Sequence, residues 1–134
     1  MKLIRFFTAA LIMAATFTAC SKDKNDVPES PKTVDITGTY EGKIGTSAAL
    51  PTGHFALQVK QDGKIDRVSA DKSISGTGTW TMNGASFKAE YTATNGVKVK
   101  IAATFDKFSG KLTGGKWEND ANNDGTWYAS KKDN

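Results

Sequence analysis

Few residues in this chain carry side chains suited to covalent or metal chemistry. Cys20 is the only cysteine and His54 the only histidine among 134 residues. One thiol makes neither an internal disulfide nor a cysteine-based zinc site. A serine–histidine–aspartate relay needs a positioned imidazole. His54 follows Gly53 at the start of an alternating run, a place that exposes it. No glycine-rich phosphate loop leads into a helical pattern. The acidic residues that could pair for glycoside hydrolysis mostly alternate onto a polar face or sit in turns. These features point to a protein that is not an enzyme and uses no cofactor.

Two further groups need weighing. In "DANNDG" the residues Asp120, Asn122 and Asp124 have the spacing of the first three ligands of a calcium loop, with Gly125 next. The twelfth position, where such a loop places a bidentate glutamate, is Lys131. A hairpin turn accounts for these residues better, because Asn, Asp and Gly tolerate turn geometry. No metal site is expected. Arg67 is the one arginine after Arg5. A guanidinium at the mouth of a fold would bind a ligand carboxylate through two donors.

Cys20 gains meaning from its surroundings. Lys2 and Arg5 precede the 14-residue apolar run "FFTAALIMAATFTA", Phe6 to Ala19. That run is shorter than the about 20 residues of a membrane-spanning helix and suits an export signal. "FTAC" resembles the lipobox of bacterial lipoproteins, in which small residues precede an invariant cysteine. Phe17 stands where that motif carries an aliphatic residue. The resemblance implies cleavage of a signal peptide, residues 1–19, and acylation of Cys20. Residues 20–33 would then be a disordered tether, polar, charged and holding two of the three prolines. "SKDKND" after the cysteine resembles the acid-bearing export signals of surface lipoproteins in Bacteroidota, although Lys22 and Lys24 dilute its acidity. The resemblance implies a place on the outer membrane, with the cell surface slightly favoured over the periplasmic face. Loss of Lys2 and Arg5 would lower the formal charge of +4 by two. So weak a basic balance does not suit nucleic-acid binding.

The elements that must position any site have period two. Val34, Ile36, Gly38, Tyr40 and Ile44 share one face; Asp35, Thr37, Thr39, Glu41 and Lys43 share the other. "ISGTGTWTM", "SFKAEYTA" and "VKVKIAATF" alternate in the same way. The pattern predicts strands over 34–45, 54–61, 64–70, 74–82, 85–94, 97–106, 108–117 and 125–131. "KIDRVSAD" breaks the alternation, which makes the third the least regular. Asp62-Gly63, Asn83-Gly84 and Asn95-Gly96 supply residues for hairpin turns with positive φ. Asp106-Lys107 reads as a tight connection. A register slip before Trp117 predicts a bulge at Gly114 and Gly115.

Successive hairpins make an all-β antiparallel up-and-down meander, and about eight strands close into a barrel, which removes the sheet edges. An open meander or two-sheet sandwich is the alternative. The domain spans 34–131, with 132–134 as a tail. Many strands fall short of the 9–11 residues of a transmembrane barrel, so the apolar face should point inward. The interior would hold Tyr40, Phe55, Trp80, Phe87, Tyr91, Phe105, Phe108 and Trp127.

"ITGTYEG" resembles the opening strand of avidin-type and lipocalin-type barrels, and "GTWYASK" the last strand of bacterial lipocalin-like domains. Tyr40 stands where that opening motif has tryptophan, and "TSAALPT" is too short for a helical lid. The resemblance implies a small apolar ligand held inside. Tyr40, Trp80, Tyr91, Phe105 and Trp127 would line the cavity, with Arg67 at its mouth. The alternative is a filled barrel acting as an interaction or inhibitor module, displaying loops to an envelope protein or glycan. Both readings share a membrane contact through the N-terminal lipid.

Overall fold

A computed structural model describes residues 33–133. The leader, Cys20 and most of the tether lie outside those residues. Eight strands run in chain order: β1 (Gly38–Thr46), β2 (Gly53–Val59), β3 (Lys64–Val68), β4 (Ile74–Asn83), β5 (Ser86–Ala93), β6 (Lys98–Asp106), β7 (Lys111–Asn119) and β8 (Asp124–Lys131). Each pairs antiparallel with the next, and β8 pairs with β1, so the sheet is a closed barrel. Closure satisfies the backbone groups that two edge strands would leave open.

Alternation sets what fills the barrel. Trp127, Tyr40, Phe55, Phe87, Leu57 and Ile65 are fully buried, while Lys88, Glu90, Lys98 and Lys100 point to solvent. Removing a large apolar side chain from water contributes about 1.5–3 kcal/mol. The rings interlock: Phe55 and Trp127 have centroids 4.9 Å apart, and Tyr40 meets Phe105 edge-on at 6.5 Å. Gly78 shows how closely strands approach. A Cβ there would lie 1.8 Å from the Glu90 carbonyl oxygen, so no larger residue fits without moving β5.

The turns divide by chemistry. Asp62 and Gly63 both adopt positive φ, 64° and 69°. Gly84 alone is positive in the β4–β5 turn, where Asn83 pairs with Ser86. That turn has Gly at its first central position, the type II′ pattern, rather than an Asn-Gly centre. Gly96, at φ 88°, closes a three-residue loop in which Ala93 N–H donates to Val97 C=O at 2.8 Å. The register of β7 against β8 shifts between Leu112 and Gly115, and Gly114 has φ 61°. This is the bulge expected from the paired glycines.

Two expectations need correction. The seventh strand starts at Lys111, not at residue 108, and Phe108 is 56% exposed rather than interior. Asp106 is the cause. Its carboxylate accepts the N–H of Phe108 at 2.9 Å and the Ser109 hydroxyl at 2.7 Å. Gly110, at φ 67°, then turns the chain. The connection is a wider turn, and it aims Phe108 at solvent. The first strand starts at Gly38, not at residue 34. Thr37 N–H and hydroxyl donate to Asp35, bending the chain across the end of the barrel. The Tyr40 hydroxyl donates to the Ile36 carbonyl at 2.7 Å, and Val34 N–H to Lys107 C=O at 2.6 Å.

The two barrel ends therefore differ. The terminal end carries both ends of the domain and the β2–β3, β4–β5 and β6–β7 turns. The distal end carries the β1–β2, β3–β4, β5–β6 and β7–β8 loops.

Candidate functional site

The residues singled out as a ligand lining fill the interior themselves. Tyr40, Tyr91, Phe105 and Trp127 are buried in one continuous core with Phe55, Leu57 and Phe87. Trp80 is half-buried at its margin, stacked on Phe87 at 6.2 Å, with its Nε1–H donating to the Lys60 carbonyl at 2.8 Å. The Tyr40 phenol is pushed well above its usual pKa by burial, and the nearby Asp35 carboxylate adds to the shift.

Arg67 faces inward on β3, opposite Leu57 and Gly76. Its guanidinium lies 4.4 Å from the centre of the Phe55 ring. Nη2 donates to the His54 carbonyl at 3.0 Å, and Nη1 donates to the carbonyls of Ala56 and Val68. No carboxylate pairs with it among the described residues. Burial lowers its pKa, opposed by the neighbouring Tyr91 phenol. This arginine tethers the strands of its own wall, so a ligand carboxylate would compete with those carbonyls. His54 itself is exposed.

The "DANNDG" residues form the β7–β8 loop. Asn119, just before them, organises it: Oδ1 accepts the N–H of Ala121 at 3.0 Å and of Asn123 at 2.9 Å. Asp120 Oδ1 accepts the Lys98 N–H at 3.3 Å, and Asn122 adopts φ 60°.

A concavity of about 910 Å³ lies on the outer wall instead. It crosses β4 to β8 between two cross-strand rows. The distal row is Thr79, Glu90, Lys100, Glu118 and Asp124, each paired with the next across the sheet. The second row is Thr81, Lys88, Ala102, Lys116 and Thr126, paired in the same manner. Their side chains point outward while the residues between them enter the core, so the backbone between the rows forms the floor. Five strands spaced about 4.8 Å apart make a trough roughly 19 Å long, with rows about 7 Å apart.

Tertiary contacts close one end of the trough. Ser47 and Ala48 of the β1–β2 loop line it, and Ser47 N–H donates to the Asp124 carbonyl at 2.7 Å. The loop folds back over Gly45, where a Cβ would lie 2.6 Å from the Ala49 carbonyl oxygen. Trp117 anchors the same corner through Nε1–H to the Gly45 carbonyl at 2.8 Å. A smaller concavity of about 330 Å³ adjoins the distal row and shares Glu90, Lys100 and Glu118 with the trough.

The charges on the rows are asymmetric. The distal row holds three carboxylates and one lysine; the other holds two lysines and no acid. This polarity was hidden in the sequence, although its raw signal was present as outward Thr, Lys and Glu on successive strands. Which of them stand side by side depends on register. Comparisons with known proteins found no match to a protein-family model, a curated protein or a solved structure.

Proposed function

We propose that the protein is a lipid-anchored interaction module of a bacterial cell envelope, acylated on Cys20 and held on the outer membrane. The cell surface is the favoured side. The barrel is a filled scaffold, and the trough across β4–β8 receives an extended protein segment of mixed charge. One observation carries the reading: the rings of Tyr40, Phe55, Phe87 and Trp127 occupy the interior, while a built concavity lies outside. A small apolar ligand inside would require those rings to separate, which costs their dispersion contacts. The trough accommodates a partner without that cost. Its opposed rims suit a segment presenting bases to Glu90 and Glu118 and acids to Lys88 and Lys116, and such complementarity fixes register. The half-buried indoles Trp80 and Trp117 turn their N–H groups onto backbone carbonyls. They form no exposed stacking platform for a sugar, which favours protein over glycan.

A photo-cross-linking residue at Ala102, within the trough, is expected to capture a defined protein in intact source cells. The same residue at Gln58, on the opposite wall, should not. Equal capture at both positions, or capture of glycan alone at Ala102, would refute the trough reading. Native mass spectrometry of protein purified from its source is expected to show the unliganded mass. A retained apolar molecule would restore the interior as the site.

A further inference from the structure

The tip of the β6–β7 turn, at the terminal end of the barrel, combines an exposed ring with unpaired positive charge. Phe108 projects from it, 56% exposed, with the Lys107 ammonium 5.2 Å from its ring centre. Lys111 follows on the strand that leaves the turn. The Lys131 N–H donates to the Gly110 carbonyl at 2.9 Å, but its ammonium turns back to the Asp35 carbonyl. None of these three lysines forms an ion pair among the described residues.

Asp106, the carboxylate of the tip itself, accepts the Phe108 N–H and the Ser109 hydroxyl and stays charged, with Lys111 close enough to act on it. Asp35, bonded to Thr37, faces Lys131 in the same way, so Lys107 is the cation of the tip that no acid opposes among the described residues. The adjacent β4–β5 turn, Asn83 to Ser86, carries no charge. Lys64, which opens β3 at the same end, is exposed and unpaired but follows the exposed Asp62 of the turn, whereas Lys60 pairs with Asp66 and Lys132 shares Glu41 with Lys72. The distal end has a different character. Its loops carry Asp71 and Asp120 with Lys72, which pairs with Glu41, and its exposed apolar residues are Leu50, with no lysine in its own loop, and Ile74 at the start of β4.

The direction of the chain singles out the same tip. Val34 N–H donates to the Lys107 carbonyl, so the segment leading back toward Cys20 begins here. Solvating Phe108 brings no folding benefit, and the Asp106 turn holds it outward.

We propose that this tip docks on an anionic phospholipid surface, with Phe108 entering the headgroup region and Lys107 and Lys111 meeting lipid phosphates. Aromatic rings partition to the membrane–water boundary. Lysines near an anionic leaflet are attracted to it, and salt screens the attraction. A basic patch is a recognised second signal beside a lipid chain. Docking in this way stands the barrel on its terminal end and presents the distal loops away from the membrane. It does not depend on acylation of Cys20 or on the trough.

The test uses the full chain in a Cys20→Ser background, carrying an environment-sensitive fluorophore at Phe108→Cys or at Leu50→Cys on the distal end. Each is mixed with phosphatidylcholine vesicles, with or without phosphatidylglycerol. Residues 6–19 partition into both vesicle types, so the readout is the increment caused by the anionic lipid. At position 108, anionic vesicles are expected to blue-shift the emission beyond the neutral ones, and salt should reverse the increment. Lys107→Glu with Lys111→Glu should weaken that increment at least about tenfold. Position 50 should not respond. Equal emission at position 108 in both vesicle types would overturn the proposal, as would an equal response at position 50 or indifference to the charge reversal. An acidic protein as the true partner of this tip would give the first of these results.

Discussion

The guanidinium of Arg67 stacks on the ring of Phe55, 4.4 Å from its centre, within the barrel wall. Three backbone carbonyls, those of His54, Ala56 and Val68, accept its N–H groups. A charge that could have faced a ligand is instead a fastening between β2 and β3, which share one of the shortest ladders in the barrel.

Removing that fastening should destabilise the fold. Arg67→Met keeps an apolar stem but leaves the three carbonyls short of donors. The expected cost is about 1–3 kcal/mol, carried by the part-buried Ala56 and Val68 carbonyls, since water can reach that of His54. Arg67→Lys should recover only part, since an ammonium lacks the planar fork. Urea unfolding at an unchanged m-value measures this. A loss below about 0.5 kcal/mol would fit a solvated arginine instead.

The two tryptophans Trp127 and Trp80 should separate by burial. Trp127 is 1% exposed and packed on Phe55, so Trp127→Ala should cost about 3–5 kcal/mol through the cavity it leaves. Trp80 lies half-buried at the core margin, and Trp80→Ala should cost less. Thermal or urea melts of the two variants give the order. Trp80→Ala as the more damaging change would contradict this arrangement of the core.

Stability should fall at both extremes of pH, for opposite reasons. Asp106 is held below its ordinary value of 3.8 by the Ser109 hydroxyl and the Phe108 N–H, and Asp35 by the N–H and hydroxyl of Thr37. A depressed folded-state pKa means stabilisation that is present above the unfolded value and lost as pH falls through the folded one. Tyr40 behaves in the opposite sense. Burial raises its pKa above 10.0, so stability declines once pH climbs past that unfolded value. Asp106→Asn should flatten the acid limb of a plot of unfolding midpoint against pH, and Tyr40→Phe the alkaline limb. Unchanged limbs would remove these groups as the cause.

The envelope address has its own test. Cys20→Ala should abolish incorporation of labelled fatty acid into the protein, because the proposed acyl attachment point is gone. Undiminished labelling of the variant would end the lipoprotein reading. Protease shaving of intact cells distinguishes surface from periplasmic placement.

Alternation is a local property, and it made most of the barrel legible. Tyr40, Phe55, Phe87, Tyr91, Phe105 and Trp127 could be assigned inward from period two alone, because successive side chains of a strand must face opposite sides. Asp62-Gly63 marked its turn for an equally local reason. Phe108 was misplaced because period two was extended through residues that Asp106 pulls into a turn. A single carboxylate that accepts two nearby donors outcompetes the strand pattern.

The outer trough lies at the other limit. Glu90, Lys100 and Glu118 are ordinary exposed residues on three strands, and nothing in their order says that they adjoin. Register brings them together, and the shifts at Arg67/Val68, Ala102/Thr104 and Leu112/Gly115 adjust that register. The β6–β7 tip has the same origin, since the backbone of Lys131 meets Gly110 only after β7 and β8 have run the length of the barrel and back. Thus composition and alternation alone determined an all-β domain with an apolar face, since these depend on each residue and its immediate neighbours. Tertiary structure decided that the aromatics fill the interior, that Arg67 is spent on its own wall, and that charge is sorted between the two rims of the trough. Those outcomes depend on distances between residues far apart in the chain, which only closure of the barrel sets.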